Sequence, residues 1–464
     1  MKNLTLENIA KSCGGELHNY SAEYSSTEAT CVEIDSRKVL PGGIFIATKG
    51  ERVDGHSFID QVFEKGALGV ICEKAPESTD NPYIVVKDSF EALKEVARFY
   101  RQQLTIPVIG ITGSVGKTST KEFIAGTLSA KFKVCKTQGN FNNEIGMPLT
   151  ILSIRDDDKI AVVEMGISDF GEMSRLASIS KPDTCVITNI GQCHLEKLID
   201  RDGVLKEKTE MFKFMNHEGT IFLNGDDDKL STVESPYGKD IIYYGVGATN
   251  DIRAINVVNK GLLGSDATIV MGKGQQEISF DVHVPLPGKH MVFNSLVAAG
   301  VALDYGLSID EIIKGIESIA PTGGRSNVMN LDPYVVIDDC YNANPVSMKA
   351  AIDLLNMSNT RKVAILGDMF ELGEDEKELH KEVGSYAMSH GVDVLIAIGE
   401  LSQNMYQGAF ECVLSGDKPV YCFDTKEEAM AKLPSILKEG DSILIKASHG
   451  MHFEEIVDYF KNNK

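Results

Sequence analysis

The chain has no C-x-x-C pair, no G-x-G-x-x-G run, and no apolar stretch approaching the ~18 residues that span a bilayer. Its nine cysteines are scattered and odd in number, which argues against a disulfide framework and a zinc ribbon. The missing glycine fingerprint disfavours dinucleotide binding. The opening MKNLTLENIAKS lacks the apolar centre of a secretion signal. Positive charge is scarce: 46 Lys and Arg stand against 67 Asp and Glu, a net charge of −21. Such a chain is a poor non-specific binder of nucleic acid or anionic membrane. An anionic small substrate would need a few placed cations or a metal ion. There is no internal repeat or long low-complexity stretch. We read a soluble protein of a reducing cytoplasm; nothing sets an oligomeric state, and a monomer is the working expectation.

What is present is ordinary globular composition over 464 residues, 43% hydrophobic and 24% charged, enough for about three domains at ~150 residues each. Apolar runs of strand length alternate with helical segments in three blocks. The first, 1–104, carries GGIFIATKG, LGVICEK and YIVVKD, with SFEALKEVARFYRQQL as a helix. The second, 105–320, carries PVIGIT, IAVVEM, TCVITNI and GTIFLN. The third, 321–464, carries YVVID, RKVAILG, VDVLIAIG and DSILIKA. The fold class expected is α/β: a central doubly wound sheet with a phosphate loop, a Rossmann-like C-terminal domain, and a smaller N-terminal α/β domain.

PVIGIT-GSVGKTST-KEFIAGTLSA is the strongest local signal. A buried strand runs into a glycine turn, then Lys117-Thr118, then a helix. Glycines let backbone N–H groups approach phosphate oxygens, the helix N-terminus favours anions, Lys117 adds a cation and Thr118 a hydroxyl for Mg²⁺. The form is a short G-x-x-G-K-T, with Ile111 where the longer pattern has glycine. Glu164 ends the strand IAVVEM, at the end where α/β sheets bind ligands; it is equally well read as a solvated strand-end carboxylate. His194 follows TCVITNI beside Gly191, and a lone histidine is more often structural. Lys208 falls on a helical stripe with Val204, Met211, Phe212 and Met215, while Lys206, Glu207 and Glu210 fall off it. A charge on an apolar stripe is costly unless paired or modified, although a lysine can also snorkel to the rim. GNFNNEIG places Asn140, Asn142 and Asn143 in a polar loop that is a turn on its own merits. IDDCYNANPVSM gathers Asp339, Tyr341, Asn342 and Asn344 after a buried strand, either as a site or as a capped turn before Pro345.

These segments, with EMG, IGQCHLE, PLPGKH, LGDMFELG and KASHGM, occur in an order that resembles the Mur ligase family, ATP-dependent amide ligases of bacterial peptidoglycan synthesis. GNFNNEIG, DDCYNANP and LGDMFELG resemble the member that adds D-alanyl-D-alanine to a UDP-N-acetylmuramoyl-tripeptide. The resemblance implies that Thr112, Gly113, Ser114, Val115, Gly116, Lys117, Thr118 and Ser119 hold ATP, with Asn294 at the adenine and Arg325 and Asp339 also on the nucleotide. It implies Mg²⁺ at Thr118, Glu164, His194 and a carbamylated Lys208, so that Lys117, Glu164, His194 and Lys208 form the catalytic set. Ser36, Arg37, Asp54 and His56 would face the UDP-sugar, with Asn140, Asn142 and Asn143 on the muramoyl-peptide side. Tyr341, Asn342 and Asn344 would line the dipeptide side. The chain departs from the family pattern at Met291, where an asparagine is usual, at His449, where arginine is usual, and at Gly324, where proline is common.

The implied reaction is carboxylate activation as an acyl phosphate, then attack by the dipeptide amine. Two alternatives stand beside it. One is another Mur-type or folylpolyglutamate ligase with a different acceptor. The other is a non-catalytic P-loop nucleotide-binding protein, which gives no reason for Glu164, His194 and Lys208 together.

Overall fold

The structure, a computed structural model, describes residues 1–462 apart from 51–52, 217, 273, 275–276, 322–323, 325–326 and 414–417. Three sheets carry the chain. The first has five strands in the order Glu16–His18, Tyr83–Val85, Gly69–Cys72, Ile44–Ile46, Val32–Glu33, parallel except for Glu16–His18. The third has six, in the order Asn327–Leu331, Tyr334–Asp338, Ser442–Lys446, Lys362–Gly367, Val394–Ile398, Val420–Phe423; only Asn327–Leu331 is antiparallel.

The central sheet has nine strands. Val108–Thr112 sits between Thr184–Ile187 and Ile160–Glu164, and all three are parallel. The chain reverses its direction of travel across the sheet here, the switch point where α/β sheets bind ligands beyond their strand ends. Val134–Lys136 closes one edge; Thr220–Asn224, Ile241–Gly245 and Ile252–Asn259 extend the other in parallel. The expectation of parallel sheets is corrected at the margins. Ser265–Met271 and Ile278–Val284 add to Ile252–Asn259 as an antiparallel ribbon. Ser265–Met271 and Ile278–Val284 each bury alternate residues, among them Ala267, Ile269, Phe280 and Val282, while residues 255–260 are exposed.

The core is not divided where the blocks are. Asp88 caps the helix Ser89–Gln103 by accepting from the N–H groups of Phe90 (2.8 Å) and Glu91 (3.0 Å). The helix buries Leu93, Val96, Ala97 and Tyr100 on one stripe. That stripe belongs to a hydrophobic cluster running from Leu4 to Leu230, including Met147, Ile151 and Ile154 of the central block. Tyr100 donates its hydroxyl to the carbonyl of Ile154 at 2.7 Å, and Arg101 donates to the carbonyls of Ser180 (2.7 Å) and Lys181 (3.1 Å). By contrast, the two clusters flanking the C-terminal sheet are drawn from residues 328 onward, with Leu262 as the only earlier side chain among the described residues.

Candidate active site

The motifs converge at the C-terminal ends of strands from two sheets. The phosphate loop follows Val108–Thr112, Glu164 ends Ile160–Glu164, and Thr188-Asn189 follow Thr184–Ile187. Facing them, Asp339, Asp368 and Lys446 stand at the ends of three adjacent strands of the third sheet. Between lies a cleft of about 550 Å³ lined by residues 114–119, Asn140, Asn142, Glu164, Asn189, Asn294, Asp339, Tyr341, Asn342, Asn344 and Lys446, among others.

The loop is held open by its neighbours. Gly113 has φ +151, and a Cβ there would collide with the Thr188 hydroxyl, so only glycine fits. Thr188 Oγ1 donates to the carbonyl of Val115 at 2.6 Å, Asn189 Nδ2 donates to the same carbonyl at 2.9 Å, and Asn189 Oδ1 accepts from Val115 N–H at 3.0 Å. Gly116 in the left-handed region (φ +82) caps the helix Lys117–Leu128. Lys117 Nζ curls back to the carbonyl of Gly113 at 2.7 Å. Thr188 and Asn189 were not singled out in the sequence; their sole signal is position at a strand end next to the loop strand.

Glu164 is 2% exposed. Its Oε2 accepts from Thr118 Oγ1 and its Oε1 from Asn142 Nδ2, each at 2.9 Å. Thr120 Oγ1 donates to Asn294 Oδ1 at 2.8 Å, tying the loop helix to the helix Lys289–Asp304. Met291, the departure from the family pattern, puts its sulfur 3.5 Å from Asn294 Nδ2 and so takes up that donor.

Lys208 is 1% exposed on the helix Arg201–Thr209. Its Nζ makes no hydrogen bond or ion pair among the described residues. Burial, and then the Lys117 ammonium, push its pKa down to about 7. The stripe reading holds for Val204, Met211 and Phe212, all buried, although the chain tightens to 3₁₀ geometry over Glu210–Phe214. Glu207, which the periodicity puts off the stripe, is also buried, at 2% exposure. Its Oε1 accepts the Met173 N–H at 2.8 Å, near the start of the helix Glu172–Ser180, a partner the periodicity cannot see.

His194 is half-buried with φ +51, and its Nδ1 lies 3.6 Å from Glu371 Oε2 of the C-terminal block. Burial holds its pKa below the usual imidazole value, opposed by Glu371. Across the cleft, Lys446 is 3% exposed; its Nζ donates to Asp339 Oδ2 at 2.5 Å and to the carbonyl of Asn342 at 2.9 Å. Tyr341 packs on His449 with ring centroids 5.6 Å apart. Asn344 caps the helix Pro345–Leu355 in a reciprocal box with Ser347, while also lining the cleft. Asn143 Oδ1 accepts the N–H groups of Ile145 (3.2 Å) and Gly146 (2.9 Å), so it shapes the loop. Arg325 lies outside the described residues.

The four residues expected at the UDP-sugar do not line this cleft. Arg37 is exposed and paired with Asp35 at 2.8 Å. His56 Nδ1 meets Asp54 Oδ1 at 2.7 Å while its Nε2 accepts the Glu73 N–H at 3.0 Å. The adjacent His56 holds the Asp54 carboxyl below the usual carboxylate range. Ser36 is buried, its carbonyl accepting from Lys65 Nζ at 2.8 Å.

Three family models match in chain order: the Mur ligase family catalytic domain over residues 28–106, the Mur ligase middle domain over 111–302, and the Mur ligase glutamate ligase domain over 324–449. The UDP-N-acetylmuramoyl-tripeptide–D-alanyl-D-alanine ligase of Bacillus subtilis is 37% identical over 98% of this chain and 97% of its own. A crystal structure of MurF from Acinetobacter baumannii superposes with a TM-score of 0.87 at 30% identity, covering 98% of each chain. A MurF ligase from Thermotoga maritima, solved in complex with ADP, superposes with a TM-score of 0.80 at 28% identity over 93% of this chain and 97% of that one. With three Mur ligase models matched in succession along most of the chain and a relative 37% identical over 98% of it, the chain belongs to the Mur ligase family.

Proposed function

We propose that this chain is an ATP-dependent ligase that joins D-alanyl-D-alanine to UDP-N-acetylmuramoyl-tripeptide, giving the UDP-linked pentapeptide of peptidoglycan synthesis with ADP and phosphate. The observation that carries the reading is the two-sided cleft, with a phosphate loop on one wall and Asp339, Tyr341, Asn342 and Lys446 on the other. Support comes from the B. subtilis ligase, aligned over 98% of this chain. The domain roles follow: 1–104 for the UDP-sugar, 105–320 for ATP, 321–464 for the closing wall.

The chemistry needs two transfers. An oxygen of the tripeptide carboxylate attacks the γ-phosphorus, the bond to the bridging oxygen breaks, and ADP leaves. The dipeptide nitrogen then attacks the acyl carbon, loses a proton, and phosphate departs with the electron pair of the C–O bond. Gly113, Gly116 and the start of the helix Lys117–Leu128 supply N–H groups to the phosphates, and Lys117 swings from Gly113 to screen the transferring group. Thr118 and Glu164 fit a magnesium site: both present hard oxygen atoms, already in contact. Among the described residues no three of His, Cys, Asp and Glu converge on one point, so phosphate oxygens would complete the shell, the usual arrangement for Mg²⁺ with nucleotides. Bound there, the ion supplies charge neutralisation at the phosphates. His194 and a carbamylated Lys208 extend this set in our reading.

No helix among the described residues is long and apolar enough to cross a membrane, and the cytoplasm is the compartment we assign. The deciding experiment is phosphate release from ATP with the UDP-tripeptide, with and without D-alanyl-D-alanine. Release that requires both is expected. Release driven by another amino acid, or ATP binding without amine-dependent turnover, overturns the reading.

A further inference from the structure

The segment 368–373 follows the strand Lys362–Gly367 on the cleft side of the C-terminal sheet, and the reaction as derived gives it no task. Its backbone is held from several directions. Asp368 Oδ1 accepts the Ser402 N–H (2.7 Å) and hydroxyl (2.6 Å). The Met369 N–H donates to His380 Nε2 at 2.9 Å, and the Phe370 N–H donates to Ser448 Oγ at 2.9 Å. His380 is fully buried, with Nδ1 2.6 Å from the carbonyl of Glu376. Burial lowers its pKa, so it stays a neutral acceptor for Met369.

After these anchored residues the chain turns through Glu371 at φ +61. A non-glycine residue there is strained, and it persists only where the surroundings over-determine it. The turn sends the Glu371 carboxylate out of its own domain. Its side chain is 76% exposed, and its one ion-pair partner among the described residues is His194 of the central block, 3.6 Å away. His194 is itself a left-handed non-glycine residue, at φ +51. Two strained residues on opposite walls thus point their side chains at each other. An exposed pair of this kind contributes little stability, so the conformational cost is not explained by folding.

We propose that Glu371 is a positioning residue for His194. When the walls close, its carboxylate accepts the Nδ1–H of the imidazole, fixing the ring's tautomer and direction and leaving Nε2 as a free lone pair for the nucleotide side. The present separation is longer than a hydrogen bond, so a small closing displacement makes the contact. The role matches the way carboxylates orient metal-facing histidines. It rests on the ligase reading for its catalytic consequence, but not for its effect on His194 itself.

The test uses the full chain carrying Glu371→Ala, Glu371→Asp and Glu371→Gln, read two ways. In protein labelled with ¹⁵N-histidine and closed on a non-hydrolysable ATP analogue without divalent metal, the His194 ring signals are assigned by their loss in His194→Gln. The wild type should show protonated Nδ1, and Glu371→Ala should move the ring toward protonated Nε2. In the ligase assay Glu371→Ala should lower kcat about 10–100-fold with KM for the UDP-tripeptide and the melting temperature unchanged, and Glu371→Asp should recover part of the loss. An unchanged His194 tautomer in Glu371→Ala overturns the proposal, whether or not kcat falls. So does an unchanged kcat alongside a changed tautomer. If the wild type has no amine-dependent turnover, the ligase reading fails, and the tautomer measurement still decides the Glu371–His194 contact.

Discussion

Thr118 Oγ1 donates a 2.9 Å hydrogen bond to Glu164 Oε2, joining the first turn of the loop helix to the end of the adjacent strand. With Asn142 on its other oxygen, Glu164 has both oxygens committed to donors, and a cation must displace or share at least one. Glu164→Gln removes the charge while keeping the size. We expect the half-saturating Mg²⁺ concentration to rise by at least the ~10-fold typical of weakened metal-site partners, with the circular-dichroism spectrum unchanged. An unaltered Mg²⁺ dependence rejects the assignment.

Lys117 donates to the carbonyl of Gly113 in its own loop. Lys117→Ala removes one cation that the phosphates require. A loss of about 10²–10³ in kcat is expected, with little change in melting temperature. Near-normal turnover in the folded variant rejects the loop assignment.

Lys208 carries the clearest pH dependence. Its folded pKa, about 7, lies below the 10.5 of a free lysine. Between those values the unfolded chain binds a proton that the folded chain does not, so the lysine's penalty on stability fades as pH rises through that window. The difference in urea midpoint between wild type and Lys208→Met should shrink from pH 7 upward. The same neutral amine is available to CO₂ above about pH 7. With ¹³C-bicarbonate a carbamate resonance should appear, absent in Lys208→Met and lost on acidification. Lys208→Ala should lose most activity and regain part with acetate or formate, and Lys208→Arg should be as inactive as alanine. An active Lys208→Arg enzyme rules out the carbamate.

Tyr100 measures the joint between the first two blocks. Tyr100→Phe leaves the carbonyl of Ile154 without its donor and should cost about 1 kcal/mol; Tyr100→Ala should cost about 3–5 kcal/mol, read from denaturant midpoints. A fragment lacking residues 1–104 would expose the shared cluster and is expected to melt without a cooperative transition. A cooperative melt of that fragment contradicts the joint.

Gly324 has φ +72, and its N–H donates to Asp338 Oδ2 at 3.1 Å. Proline can neither adopt that φ nor donate. Gly324→Pro should lower the melting temperature of the C-terminal unit, and Gly324→Ala should do so less. A Gly324→Pro protein as stable as wild type contradicts this geometry.

The sequence shows the strand–loop motifs because their chemistry is local: glycines, Lys117-Thr118 and strand-end polar residues lie within a few positions of each other. Glu164, Asn142 and Thr118 could be named, but not their mutual contact, which joins residues 22 and 46 positions apart. Thr188 and Asn189 escaped notice because supporting a loop needs no unusual composition. Glu207 escaped because its partner lies on another helix. The antiparallel ribbon from 252 to 284 was legible in part: ISFDVHV alternates apolar and polar residues and buries Phe280, Val282 and Val284, whereas the exposed stretch 255–260 offers no such face. The division at residue 104 is visible as a change of motif, while the core that crosses it is made of ordinary apolar helix positions.

That shared core has a mechanical consequence. The first two units meet through a packed helix and cannot swing apart without opening it, whereas the third keeps its own interior and touches the second lightly. The molecule is a caliper with one fixed jaw. The span from the proposed UDP-sugar end to the phosphate loop is then a built-in length standard for the peptide being extended. A donor shorter by one residue would fall short by about 3.3–3.6 Å. Such a dipeptide donor should bind yet release almost no phosphate, however well the jaw closes.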